Sequence, residues 1–236
     1  MTMLRFILFF TLFSWSCSKN NTFPSVTEPI VTMSKDSSFT YLALGDSYTI
    51  GQSVAEPEIF PNQLAASLKK DSINVGRVRI IARTGWTTDE LQTAIATSGL
   101  TADSTFDMVT LLIGVNNQYR GRTVENYKPQ FTTLLERAIK FAGGKKEHVV
   151  VVSIPDYAYT PFGGGSPSIS KGIDEYNAAN EAITKSMGVA YAQITPISRE
   201  GLNDPTLVAG DGLHPSGKQY GRWIGVIKPF AKAFLK

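Results

Sequence analysis

From residue 39 onward the chain alternates short apolar runs with longer stretches whose apolar positions recur every three to four residues. The runs at 39–44, 78–82, 108–113, 149–154 and 189–194 have the length and the apolar character of strands. The periodic stretches predict helices over 62–70, 88–96, 124–142, 173–187 and 217–235. Thr87 or Thr88 supplies an N-cap ahead of Asp89 and Glu90, and Gly143-Gly144 and Gly188 are stop signals. Nearly continuous apolar strands separated by helices imply a parallel sheet buried on both faces. The expected fold class is therefore α/β, a three-layer α/β/α arrangement around about five parallel strands. Gly163-Gly164-Gly165, flanked by Pro161, Ser166 and Pro167, reads as a mobile loop inside this domain, and no internal repeat is visible.

The first residues break the pattern. Arg5 precedes the apolar stretch 6–13, which is too short to span a bilayer and has the length of a signal-peptide apolar region. The only cysteine, Cys17, follows small Ser16 where a cleavage site falls. This resembles a bacterial lipoprotein signal, in which the cysteine becomes the lipidated first residue, although Ser14 stands where leucine is usual. The competing reading is an ordinary signal peptide with an incidental cysteine. The expected organisation is a signal segment at 1–16, a polar tether at 17–38 and one domain at 39–236, exported and anchored to a membrane through Cys17.

Composition narrows the partners. With 42% hydrophobic and 18% charged residues and a net charge of +3, the chain has no basic run interleaved with aromatics, so nucleic acid is not indicated. A single cysteine permits no internal disulfide, and a core must supply the stability.

Two segments far apart in the sequence, Gly45-Asp46-Ser47-Tyr48 and Asp211-Gly212-Leu213-His214-Pro215, offer a serine, a histidine and a carboxylate. A serine hydroxyl is a weak nucleophile until a base lies in hydrogen-bond reach and a third group orients that base. The base is His148 or His214, the only histidines. His148 opens the run 149–154, which puts it at the amino end of a strand, whereas ligands in open α/β sheets bind beyond the carboxyl ends. His214 lies in a Gly- and Pro-rich loop with Asp211 three residues before it, close enough to accept the imidazole Nδ1-H. Asp46, adjacent to Ser47, reads as a structural residue of the turn.

The segments that follow the first four strands are Gly45-Asp46-Ser47, Thr84-Gly85-Trp86, Gly114-Val115-Asn116-Asn117 and Pro155-Asp156-Tyr157, all expected along one carboxyl edge. With the Asp211-to-His214 segment, these blocks resemble the GDSL, or SGNH, hydrolases, a family of esterases and lipase-like acylhydrolases with a flavodoxin-like fold. The resemblance runs from Tyr41 to Pro215.

By position, the resemblance implies Ser47 as nucleophile, His214 as base and Asp211 as its acid. It implies an oxyanion hole made by the N-H groups of Ser47 and Gly85 and the side-chain amide of Asn116. Two positions depart from the family pattern: Tyr48 stands for leucine, and Asn117 for the aspartate that commonly follows the asparagine. No metal or cofactor is required. Trp86, Asn117, Gln118, Tyr119, Arg120 and Tyr157, with Tyr159 and Phe162, are expected to shape the substrate pocket. The expected partner is a small ester or an acylated glycan, through either carbohydrate O-deacetylation or lysophospholipase-like acyl hydrolysis. A non-catalytic surface-binding lipoprotein that keeps the fold is the alternative. A nucleotide-binding domain is disfavoured, since no phosphate-binding glycine loop follows the first strand.

Overall fold

The computed structural model describes residues 38–235, so the expected signal segment 1–16, Cys17 and all of the tether but Ser38 lie outside the described residues. Five strands, β1 Phe39–Gly45, β2 Val75–Ala82, β3 Met108–Leu112, β4 Val149–Val152 and β5 Ala190–Ala192, form one sheet in the order β2-β1-β3-β4-β5. Every pairing is parallel. Each expected strand is present, and the differences in length follow from position. The inner strands β3 and β4 are buried at every residue, which is why they read as unbroken apolar runs. The edge strand β2 exposes alternate residues and begins at Val75, ahead of the expected start, because Gly76 and Arg77 dilute its apolar signal. At the other edge, β5 shortens to three residues.

Among the described residues, eight α-helices connect and cover the strands: α1 Ser47–Ile50, α2 Phe60–Lys70, α3 Thr88–Thr97, α4 Val115–Tyr119, α5 Val124–Phe141, α6 Pro167–Ser186, α7 Thr195–Ser198 and α8 Gly217–Phe234. The three of one turn or little more, α1, α4 and α7, have no sequence signature, since a 3.6-residue period needs several turns to show. Helix α2 packs on α8, and α5 packs on both α3 and α6, giving a helical layer on each face of the sheet. Each layer has its own aromatic seam. Phe60 meets Tyr220 and Trp223 in the first, and Tyr127 meets Phe131 and Tyr176 in the second. A large apolar side chain taken fully out of water contributes about 1.5–3 kcal/mol, so these seams and the valine run of β4 carry much of the stability.

Two expectations are corrected, the start of one helix and the mobile glycine loop before it. Helix α6 starts at Pro167, six residues before the predicted boundary, because proline suits the first turn, where an amide has no intrahelical partner. The glycine triplet just before it is tied down by hydrogen bonds. Gly163 N-H donates to Thr160 Oγ1 at 3.1 Å, Gly164 N-H to the Thr160 carbonyl at 2.9 Å and Gly165 N-H to the Ala158 carbonyl at 2.8 Å.

The chain leaves β1 toward β2 on one side, while β3 returns to the other side of β1. The carboxyl ends of β1 and β3 thus flank a topological switch point, the place where open α/β sheets form a crevice.

Candidate active site

Ser47 sits at that crevice because the chain turns from strand to helix within two residues. A Cβ at Gly45 would lie 2.1 Å from Thr49 Oγ1 and 2.4 Å from the Leu112 carbonyl, so only glycine lets the turn close this tightly. Asp46 caps α1 by accepting the Tyr48 N-H at 3.0 Å. Ser47 is the first helical residue, and its N-H belongs to the turn whose amides have no intrahelical partner.

The loop before α8 brings the other groups. His214 Nε2 lies 2.9 Å from Ser47 Oγ, and His214 Nδ1 lies 2.6 Å from Asp211 Oδ2. Ser47 and His214 are both buried. Asp211 Oδ1 accepts the N-H groups of Leu213 and His214, each at 3.0 Å, and Oδ2 also accepts the Ser53 hydroxyl at 2.7 Å. Burial opposes the charge on Asp211, but the bonds from Ser53, His214 and Leu213 outweigh it and hold the carboxyl well below the ordinary carboxylate range. Held as an anion, Asp211 orients the imidazole with Nδ1 protonated and leaves Nε2 to accept from Ser47. His148 lies at the opposite edge, its Nδ1 2.7 Å from the Asp107 carbonyl and its ring stacked on Phe234.

Gly85 and Asn116 complete the crevice from the ends of β2 and β3. Gly85 has φ +83°, a region glycine enters without penalty. The Asn116 amide donates to the Trp86 carbonyl at 3.0 Å, which occupies one of its two hydrogens. Together with Ser47 and His214 they line a cavity of about 240 Å³ whose other walls are Tyr48, Val115, Tyr119, Tyr157, Phe162 and Leu213, with Thr84 at its edge. The rings of Tyr119, Tyr157 and Phe162 lie 6.2–6.3 Å apart, centre to centre, and form one aromatic wall. A larger surface groove of about 920 Å³ between α5 and α6 places no serine beside a histidine. Among the described residues, no group of three or more His, Cys, Asp or Glu side chains is arranged to hold a metal ion.

Of the residues expected to shape the pocket, Tyr119 and Tyr157 line it, as does Phe162. Trp86, Asn117, Gln118 and Arg120 do not, and neither does Tyr159. Sequence adjacency put Trp86, Asn117, Gln118 and Arg120 near the site, but the side chains of Asn117, Gln118 and Arg120 brace its walls and that of Trp86 lies elsewhere. Trp86 borders a separate groove along α3 with Asp89 and Glu90. Gln118 accepts the Tyr157 hydroxyl at 2.9 Å. Asn117 is buried, accepts the Thr88 N-H at 3.0 Å and donates to Thr88 Oγ1 at 2.7 Å, and Thr88 Oγ1 in turn donates to Gln130. A carboxylate at 117 could not donate to the threonine, so the departure from the usual aspartate suits this relay.

Sequence reasoning did not single out Ser53 or Thr84. Ser53 lies in a loop without any motif and reaches Asp211 only through the fold, with φ +68°. Thr84 donates to Gln52 at 2.6 Å and so ties the loop after β2 to the loop that carries Ser53.

The model of the GDSL-like lipase/acylhydrolase family matches residues 43–222. No curated protein matches the chain at a significant level. Among solved structures, the lipase Lip_vut3 from a goat rumen metagenome superposes with a TM-score of 0.68 at 16% identity, covering 82% of this chain and 97% of that one. A lipase/acylhydrolase from Enterococcus faecalis superposes at 0.64 with 19% identity, over 84% and 97%. Axe2, an acetylxylan esterase from Geobacillus stearothermophilus, does so at 0.62 with 16% identity, over 82% and 94%. At such identities the superpositions speak for a shared fold, the flavodoxin-like three-layer α/β/α architecture. The family match spans the strand ends and the loop that converge on the crevice, and the chain belongs to the GDSL-like lipase/acylhydrolase family of carboxylic ester hydrolases.

Proposed function

We propose that the protein is a serine esterase acting on carboxylic esters with short to medium acyl chains. The observation that carries the reading is the unbroken hydrogen-bond chain from Asp211 through His214 to Ser47 at the floor of an apolar cavity. His214 Nε2 takes the Ser47 proton as Oγ bonds to the ester carbon. The tetrahedral oxyanion is held by the N-H groups of Ser47 and Gly85 and by the second hydrogen of the Asn116 amide. Collapse breaks the ester bond, and the leaving alcohol takes the proton from His214. Water, deprotonated by the same imidazole, then attacks the acyl-serine and releases the acid. Donors preset for the oxyanion supply a large share of such catalysis, about 3–4 kcal/mol for one of them.

The lining supports the acyl part of the reading. Six of its residues are apolar or aromatic, and none carries a fixed charge that would seat a phosphate headgroup. The surface the cavity presents is mostly apolar, which favours an acyl chain over a glycan as the group held there. The first residues support export and membrane anchoring through Cys17, tested by comparing membrane association of the full chain with that of Cys17→Ser.

The test of the whole reading is hydrolysis of p-nitrophenyl esters from acetate to decanoate by the domain and by Ser47→Ala. The expected result is turnover on the shorter members, lost by at least about a thousandfold in Ser47→Ala. Turnover that survives the substitution removes Ser47 as nucleophile, and no turnover on any ester leaves the non-catalytic binding protein.

A further inference from the structure

Gly85 and Asn116, the two oxyanion donors besides Ser47, stand on separate connections, one after β2 and one in α4 after β3. Glycine is the residue least able to hold a backbone amide in one direction by itself, and Gly85 has φ +83°, where both of its dihedrals are soft. A donor in this position is preset only if something outside the glycine holds the neighbouring peptides.

Arg120 meets that need on the carbonyl side of the glycine. Its Nη2 donates to the Gly85 carbonyl at 2.6 Å, and its Nη1 lies 3.3 Å from Glu90 Oε1. Glu90 is itself fixed, because its other oxygen accepts the Thr87 N-H at 2.8 Å at the start of α3. One residue further along, the Trp86 carbonyl accepts from Asn116, and the Thr88 N-H is taken by Asn117. The loop 85–88 is thus held at successive peptides by three side chains from α4 and its cap. Asn116 and Arg120, four residues apart, share one face of that turn.

We propose that Arg120 is a positioning residue of the oxyanion hole: by gripping the Gly85 carbonyl and bracing on Glu90, it fixes the peptide after Gly85, while the Thr84 bond to Gln52 and the turn bond from the Trp86 N-H to the Arg83 carbonyl hold the peptide before it, so that the Gly85 N-H is kept toward the cavity beside Asn116. This rests on the reading of Gly85 and Asn116 as oxyanion donors. A planar fork can hold a carbonyl and a carboxylate at once in fixed geometry, which the point charge of a lysine does less well. The role is one of alignment. The Arg120 and Glu90 side chains are 42% and 40% exposed, and exposed pairs add little to stability, so variants at 120 are expected to fold. Because Arg120 is outside the cavity lining, its loss acts on the transition state and leaves ground-state binding nearly unchanged.

The experiment compares Arg120→Ala, Arg120→Lys and Asn116→Ala for kcat and KM on p-nitrophenyl butyrate, and for the rate of Ser47 modification by a p-nitrophenyl phosphonate, whose product carries a tetrahedral oxyanion. Asn116→Ala is expected to lower kcat about 100-fold as a lost donor. Arg120→Ala is expected to lower kcat and the phosphonylation rate together, about 10- to 50-fold, with KM within about twofold and thermal stability nearly unchanged. Arg120→Lys recovers part of the loss, and millimolar guanidinium recovers part of it for Arg120→Ala. If Asn116→Ala is impaired while Arg120→Ala keeps kcat within about threefold, the clamp is wrong and the oxyanion hole stands. A rise in KM alone for Arg120→Ala makes the arginine a substrate contact and overturns the proposal. An unimpaired Asn116→Ala removes the oxyanion assignment, and the clamp with it.

Discussion

Ser53 donates its hydroxyl to the same oxygen of Asp211 that faces His214 Nδ1, at 2.7 Å against 2.6 Å. Ser53 makes this contact at φ +68°, a conformation that side-chain-bearing residues rarely take and that tends to persist where the surroundings over-determine it. The serine steadies the charge and the direction of Asp211, which in turn direct the imidazole.

Replacing Ser53 with Ala removes one charge-assisted hydrogen bond from Asp211. We expect kcat to fall about 3- to 10-fold and stability by about 1 kcal/mol at pH 7, since the site is exposed. The sign of the pH dependence follows from linkage. A carboxyl whose pKa is depressed by folding contributes stability above its unfolded value, near 4, and that contribution fades as pH falls toward the folded value. The gap between the native protein and Ser53→Ala should therefore be widest above pH 4 and narrow on acidification, as read from urea midpoints. A gap that widens in acid contradicts the role given to Ser53.

Asp46 behaves in the opposite way. Burial is the dominant influence on it and pushes its carboxyl up to about 8, against the bond from the Tyr48 amide. A carboxyl whose pKa is raised by folding favours the folded state fully below its unfolded value, near 4, and that support is lost as pH rises toward 8. In Asp46→Asn the carbonyl oxygen can still accept from Tyr48, but nothing remains to ionise. Thermal melts of the native protein should decline between pH 5 and pH 9 more steeply than those of Asp46→Asn. Parallel declines would place the alkaline sensitivity elsewhere.

Phe162 tests the acyl assignment. It lines the cavity although the residue is 55% exposed, which puts it at the mouth, where a growing acyl chain would emerge. Each methylene that loses its apolar partner forfeits up to about 0.8 kcal/mol. Phe162→Ala should lower kcat/KM on p-nitrophenyl hexanoate and octanoate about 10-fold and leave acetate within about twofold. Equal losses across the series would mean that Phe162 supports the loop and does not contact the chain.

Periodicity and punctuation carry most of this fold. The five apolar runs and the long amphipathic helices each bury a face whose spacing is written in consecutive residues, so strand and helix identity are local properties that the chain alone reveals. The same holds for the blocks around Ser47, Gly85, Asn116 and the Asp211-to-His214 segment, where residue type and proximity to a strand end carried the information. Tertiary structure decided what depends on direction and on distance through space. Asn117, Gln118 and Arg120 adjoin the motifs in sequence, yet the turn of α4 sends neighbouring side chains to different faces, so they brace the walls while Tyr119 and Phe162 line them, and Trp86 faces a separate groove. The contact of Ser53 with Asp211, 158 residues away, left no local trace because it is formed only when two loops from opposite ends of the domain meet above one sheet edge.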